Sequence, residues 1–271
     1  MTTIKVNNKT ITIANKSNES LSFSDLDKES KSLESLALNI EKSVEALNIV
    51  SNIKAIESFG YKSTEGVGEK IKAGVIAVKN KLIEWFKKLI EFFKNLQAKI
   101  ATKNLIPKEM GNIAGEIKTL FDSFHQCAKK NIETISKGGE GEDVNKLKLK
   151  QQKCNLLRQY TLLCIRLISP KILAKDAVNA SNGELPADDV VNAIINSNSY
   201  NKLANGVSSF IKYAQNCLTS DFEGNDSNMD FETFKTKLEK WKSSLDNWKN
   251  SLMNEVKSKV KPQQQTNNNN L

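Results

Sequence analysis

Apolar residues recur three and four positions apart through most of this chain, which is the spacing of one face of an α-helix. Leu33, Leu36, Ile40, Val44, Leu47, Val50 and Ile53 predict an amphipathic helix over about 32–58. A second and stronger pattern covers 70–103, with Val75, Val78, Leu82, Trp85, Phe86, Leu89, Phe93, Leu96 and Ile100 on one side. Ile83, Ile90 and Phe92 widen that face beyond a simple stripe, and Pro107 ends the run. Further helices are expected at about 108–136, 143–168, 186–197 and 199–219, with a break at Ser169-Pro170. In the last helix, about 230–260, Phe231, Phe234, Leu238, Trp241, Leu245, Trp248 and Leu252 alternate three- and four-residue steps. That is a heptad seam, and within a globular chain it predicts packing inside a bundle.

The exceptions lie at the ends and in the connections. TIKV and TITI, around NNK, alternate β-branched and polar residues over 3–13 and predict a short hairpin or a disordered arm. Residues 17–25 are Ser-rich and polar. YKSTEGVGEK, next to Phe59-Gly60, is the clearest boundary, and KGGEGED reads as a loop. The polar tail KPQQQTNNNNL has the composition of a disordered segment. The fold class expected is therefore all-α: an elongated or globular helical bundle with a short N-terminal β-hairpin or disordered arm. Its divisions are an N-terminal segment 1–65, a helical body 66–261 and a tail 262–271.

Composition narrows the chemistry more than it directs it. The 271 residues contain one histidine, His125, and four cysteines with no C-x-x-C pair. A site with two histidine ligands is excluded, and no phosphate-binding glycine pattern is present. Asp122, His125 and Cys127 fall close together, but positions 125 and 127 diverge on a helix, so His125 reads as an ordinary helix residue. The cysteines read as reduced, buried thiols acting as small hydrophobes. The acidic stretch with Asp221, Glu223, Asp226 and Asp230 departs from a calcium loop, since Gly224 is misplaced and Ser227 and Met229 occupy ligand positions. It reads as a helix-entry loop. No cofactor, metal, small-molecule substrate or enzymatic activity is expected. No apolar signal segment opens the chain, and no run is apolar enough to span a bilayer.

Charge carries more information once it is resolved along the chain. The formal total of +9 divides into −1 for residues 1–65, with eight Lys and nine Asp+Glu, and +10 for the remainder. Residues 69–108 alone hold ten Lys against Glu69, Glu84 and Glu91. Lys79, Lys81, Lys87, Lys88, Lys94 and Lys99 stand opposite the apolar face of the second helix. Arginine occurs only at positions 158 and 166. A lysine-rich, arginine-poor surface neutralises phosphates without reading bases, which fits nonspecific DNA association. The same helix, with Trp85, Phe86, Phe92 and Phe93, also fits an anionic membrane surface. A solvated lysine face over a core helix accounts for the pattern too, and the Trp241/Trp248 seam fits a cytoplasmic helical adaptor.

A second asymmetry concerns glutamates. Five of the seven in residues 1–65 have a small residue two places before them and another directly after: Glu19, Glu34, Glu45, Glu57 and Glu65. Of the thirteen beyond, only Glu116 and Glu140 have the preceding small residue. Small-x-Glu sites in an N-terminal segment, then a glycine-containing linker and a lysine-rich amphipathic helix, resemble the internal head proteins of large tailed bacteriophages. The resemblance covers residues 32–100. It implies a propeptide cut by a prohead protease after Glu57 or Glu65, with Glu45 a further candidate. It also implies synthesis in the host cytoplasm, residence in the capsid interior beside DNA and other capsid proteins, and ejection into the host with the genome.

Overall fold

The computed structural model describes residues 2–6, 9–13, 23–58, 67–102, 105–137, 142–222 and 229–260. Eight α-helices dominate these: α1 (Phe23–Ser58), α2 (Val67–Thr102), α3 (Gly111–Ser136), α4 (Glu142–Ile168), α5 (Pro170–Ala180), α6 (Ala187–Ile195), α7 (Asn198–Thr219) and α8 (Phe231–Lys259). The all-α class rests on the helices alone. None of those described is long and apolar enough to cross a membrane.

Five helices enclose the main core. α1 packs on α2, α2 on α3, α3 on α7 and α7 on α4, and α4 closes back on α1. α8 lies across α7 and α4, while α5 and α6 fill the corner between α4 and α8. Aromatic rings mark the joints: Phe93 of α2 stacks on Phe124 of α3 with centroids 5.0 Å apart and meets Phe121 at 5.2 Å. Phe210 of α7 lies 6.1 Å from Tyr160 of α4 and 4.5 Å from Trp241 of α8. Tyr200 Oη donates to the Ile168 carbonyl at 2.7 Å, so the carbonyl left open where α4 meets Ser169-Pro170 finds a partner.

Two boundaries differ from the sequence reading. α1 starts at Phe23, nine residues before the expected start at 32, because Leu26 is buried seven positions ahead of Leu33 and carries the apolar stripe up to the edge of the Ser-rich segment. Ser169-Pro170 is a joint and not only a break: Pro170 takes the first helical position, where its missing N–H is no loss, and α5 follows directly. The division at 65/66 falls in the connection between α1 and α2, and a single core crosses it through buried Leu33, Ile40, Val44 and Leu47. The tail 262–271 lies outside the described residues.

The α8 seam packs inward. Phe234, Leu238, Leu245 and Leu252 are buried, while Phe231, Trp241 and Trp248 line its half-exposed margins. Its approach to α7 depends on Gly206, where a Cβ would run into the Trp248 ring, with Cε3 at 2.9 Å, and would crowd Leu245 Cδ2 at 3.2 Å. Asp230 caps α8 by accepting from the Thr233 N–H at 2.8 Å. Near the other end, Glu255 accepts from Lys259 Nζ at 2.7 Å and from the hydroxyl of Ser197, which itself caps α7. Lys259 first, and then Ser197, holds the Glu255 carboxyl down to about 2.

Two outcomes follow from these contacts. Overpacking costs about 1–3 kcal/mol, against about 1 kcal/mol that alanine contributes over glycine within a helix. Gly206→Ala should therefore lower Tm, and the same change in a Trp248→Leu background should raise it; a higher Tm in the native background would contradict this packing. For Glu255 the depressed pKa stabilises the fold above its ordinary value of 4.5, and this is lost as pH falls through about 2. The Tm gap between the native chain and Glu255→Gln should stay constant above pH 4.5 and close towards pH 2; a gap indifferent to acid would rule out the α7–α8 clamp.

Candidate functional site

The region singled out by charge and cleavage pattern comprises α2, its connection to α1, and the seam where α1 lies on the body. The six lysines of α2 do not form one stripe. At about 100° per residue, Lys81, Lys88 and Lys99 fall on one flank of the apolar face and Lys79, Lys87 and Lys94 on the other. Side-chain partners agree with this division. Lys99 is ion-paired with Glu29 of α1, whereas Lys94 lies near enough to His125 of α3 to affect its charge. Lys88 bonds Glu84 at 2.7 Å and sits over the Trp85 ring at 4.4 Å, and its hydrogen bond lowers the Glu84 pKa. Lys79 is half-buried and the other five are exposed. Lys87 and Lys94 make no ion pair with any described residue.

The apolar face between these flanks is fully used. Phe86, Phe92, Phe93, Leu89 and Leu96 are buried, with Trp85 half-buried at the margin. α1 and α3 cover this face, so within this fold it is not free to enter a lipid interface.

The α1 seam joins acidic groups of the N-terminal segment to basic and amide groups of the body. Besides Glu29 with Lys99, Glu45 bonds Lys148 at 2.9 Å, and Asp27 lies 4.0 Å from Arg166. Glu41 accepts from Asn155 Nδ2 at 2.8 Å, and Asn48 donates to Asn145 at 3.2 Å. These contacts frame the buried row of Leu26, Leu33, Ile40, Val44 and Leu47, each of which would cost about 1.5–3 kcal/mol to expose fully. The polar partners across this seam lie 70 to 139 residues apart along the chain, which is why helical spacing within one segment does not reveal them.

The three candidate cleavage residues differ in setting. Glu45 lies mid-helix in α1 with its carboxylate engaged by Lys148, a poor setting for a protease that needs extended backbone. Glu57 is the penultimate residue of α1. Glu65 lies outside the described residues, in the connection to α2.

Other residues weighed for chemistry are placed elsewhere. His125 is half-buried and its pKa is lowered by burial and by Lys129 and Lys94. Cys127 points into the core, away from His125. Asp221 is ion-paired with Lys150 and Asp230 serves as the α8 cap, so neither acts as a free loop carboxylate; Glu223 and Asp226 lie outside the described residues.

What spacing missed is a polar cluster inside the bundle. Cys127 of α3 and Cys154 of α4 bring their sulfurs to 3.6 Å. Arg158, fully buried, donates to Asn155 Oδ1 at 2.7 Å and lies 5.7 Å from the Phe124 ring. Gln151 and Asn131 are buried beside them on the same helices. The available signal was four polar residues, Asn131, Gln151, Asn155 and Arg158, in helical step with the apolar residues of their helices. No family model, curated protein or solved structure matches the chain.

Proposed function

We propose that this chain is an internal head protein of a large tailed bacteriophage: a non-enzymatic virion component packed with DNA in the capsid interior and matured by a prohead protease. In this reading the chain is made in the host cytoplasm, its hairpin arm and α1 form the propeptide, and the mature body enters the host with the genome. The observation that carries the proposal is the pairing at the α1 seam. Glu29, Glu45 and Asp27 face Lys99, Lys148 and Arg166, so the segment bearing the small-x-Glu sites also neutralises cations of the body. Removing α1 would take its carboxylates away from these cations of the body, whose net charge from residue 66 onward is +10, while Arg166 would keep Asp176 at 3.7 Å.

Lysine chemistry supports the choice of DNA and neighbouring capsid proteins as partners. Exposed lysines on both flanks of α2 can displace counterions from phosphates without any base-specific geometry. The bilayer and adaptor readings draw no comparable support, because Phe86, Phe92 and Phe93 are packed on neighbouring helices and the Trp241/Trp248 seam faces α7. Of the candidate sites, Glu57 borders the connection and Glu65 lies within it, and both suit a cut that leaves α2 whole.

Sequencing the N-terminus of the protein recovered from purified virus particles tests the proposal. The mature chain should begin at Ser58 or Gly66. An N-terminus at Met1 or Thr2 would overturn the maturation step.

A further inference from the structure

We propose that Cys127 and Cys154 form a peroxide-sensitive dithiol that closes to an intramolecular disulfide, tying α3 to α4 inside the bundle. The proposal goes beyond the virion reading and does not depend on it. The two sulfurs are 3.6 Å apart, in contact, and forming the bond requires them to approach by about 1.5 Å. They belong to different helices and are 27 positions apart, so the bond would be a long-range link.

The surroundings are built for a sulfur anion. Arg158 is wholly buried, yet its Nε and one terminal nitrogen have no hydrogen-bond partner, and its one bonded neighbour is a neutral amide. A buried cation is costly unless an anion lies close to it, and a thiolate is the anion this cluster can supply. Asn131 Nδ2 also donates to Cys127 Sγ at 3.8 Å. Lys150, held by Asp221, adds positive potential from the edge of the cluster. The hydrogen bond from Cys154, with Lys150 and Arg158 behind it, lowers the Cys127 pKa against the opposing effect of burial, while burial raises that of Cys154. Cys127 is thus the attacking sulfur and Cys154 the resolving one. Cys164 differs, since burial alone acts on it and pushes its pKa up.

Hydrogen peroxide is the oxidant, small and uncharged enough to reach a buried pair when the helices breathe. The Cys127 thiolate attacks one peroxide oxygen, the O–O bond breaks, and the departing hydroxide takes up the proton that Cys127 lost, giving water and a sulfenic acid. Cys154 sulfur then attacks the Cys127 sulfur, the S–O bond breaks, and the second hydroxide leaves with the Cys154 proton as water. Two thiols and one peroxide become one disulfide and two waters, with two electrons passing from sulfur to oxygen.

The test uses the full chain, reduced, then exposed to hydrogen peroxide in native buffer and alkylated in denaturant. Two of the four thiols should escape labelling, the intact mass should fall by two hydrogens, and peptide mapping should join Cys127 to Cys154. Dithiothreitol should restore all four. In Cys154→Ser the Cys127 sulfenic acid should accumulate and be captured by dimedone. Full labelling of all four thiols after peroxide, or a link that includes Cys164 or Cys217, would overturn the proposal.

Discussion

The rest of the structure depends on the burial of α4 around nearly its whole circumference. α1, α7, α8 and α5 all pack on this one helix. Its sequence is not that of an ordinary core helix, since Gln151, Lys153, Asn155, Arg158 and Thr161 are buried along with its leucines and cysteines. Each of these polar groups needs a partner or imposes a cost. Thr161 turns back to the Leu157 carbonyl at 2.7 Å, and Asn155 links Arg158 to Glu41. Lys153 lies near the rings of Phe222 and Phe234. Its pKa is lowered by burial. The neighbours of α4 are therefore constrained by chemistry as well as by shape.

α1 is the neighbour with the most consequence. It closes the ring of helices on the α4 side and places Glu41 at the end of the Asn155–Arg158 relay. Its acidic residues pair with cations on α2 and α4, and its leucines complete a core that runs without interruption into the body. If α1 is the propeptide proposed above, it is also a structural cover. A cut in the connection would break one covalent link and leave the noncovalent seam in place, so cleavage and release of α1 would be separate events with separate energetics.

Much of this arrangement is legible in the sequence because the helices are long and strongly periodic. The stripes of α2 and α8 identify their buried faces residue by residue, and the glycine-containing connection marks where α1 ends. The start of α1 was hidden by serines around Leu26, and α5 by a Ser-Pro pair that reads as a stop although proline suits a helix start. The lysines of α2 were legible as a polar face, yet their split between an α1 side and an α3 side needs the neighbours in place. The Cys127–Cys154 contact and the α1 charge seam join residues far apart in the chain, and no local period encodes such pairings. Arg158 and Gln151 stood in plain view as polar residues in an apolar helix, a conflict between levels that often marks a functional or strained position.

The central claim is that α1 is held to the body by its own buried face and charged edge, independently of the chain connection. A protease site inserted between residues 58 and 67 of the full chain, cut and followed by size exclusion, tests this most directly. The account predicts that α1 and the body co-elute after cutting in native buffer and part only when denaturant is added. Immediate separation of α1 in native buffer, with the Tm of the remaining body unchanged, would contradict it.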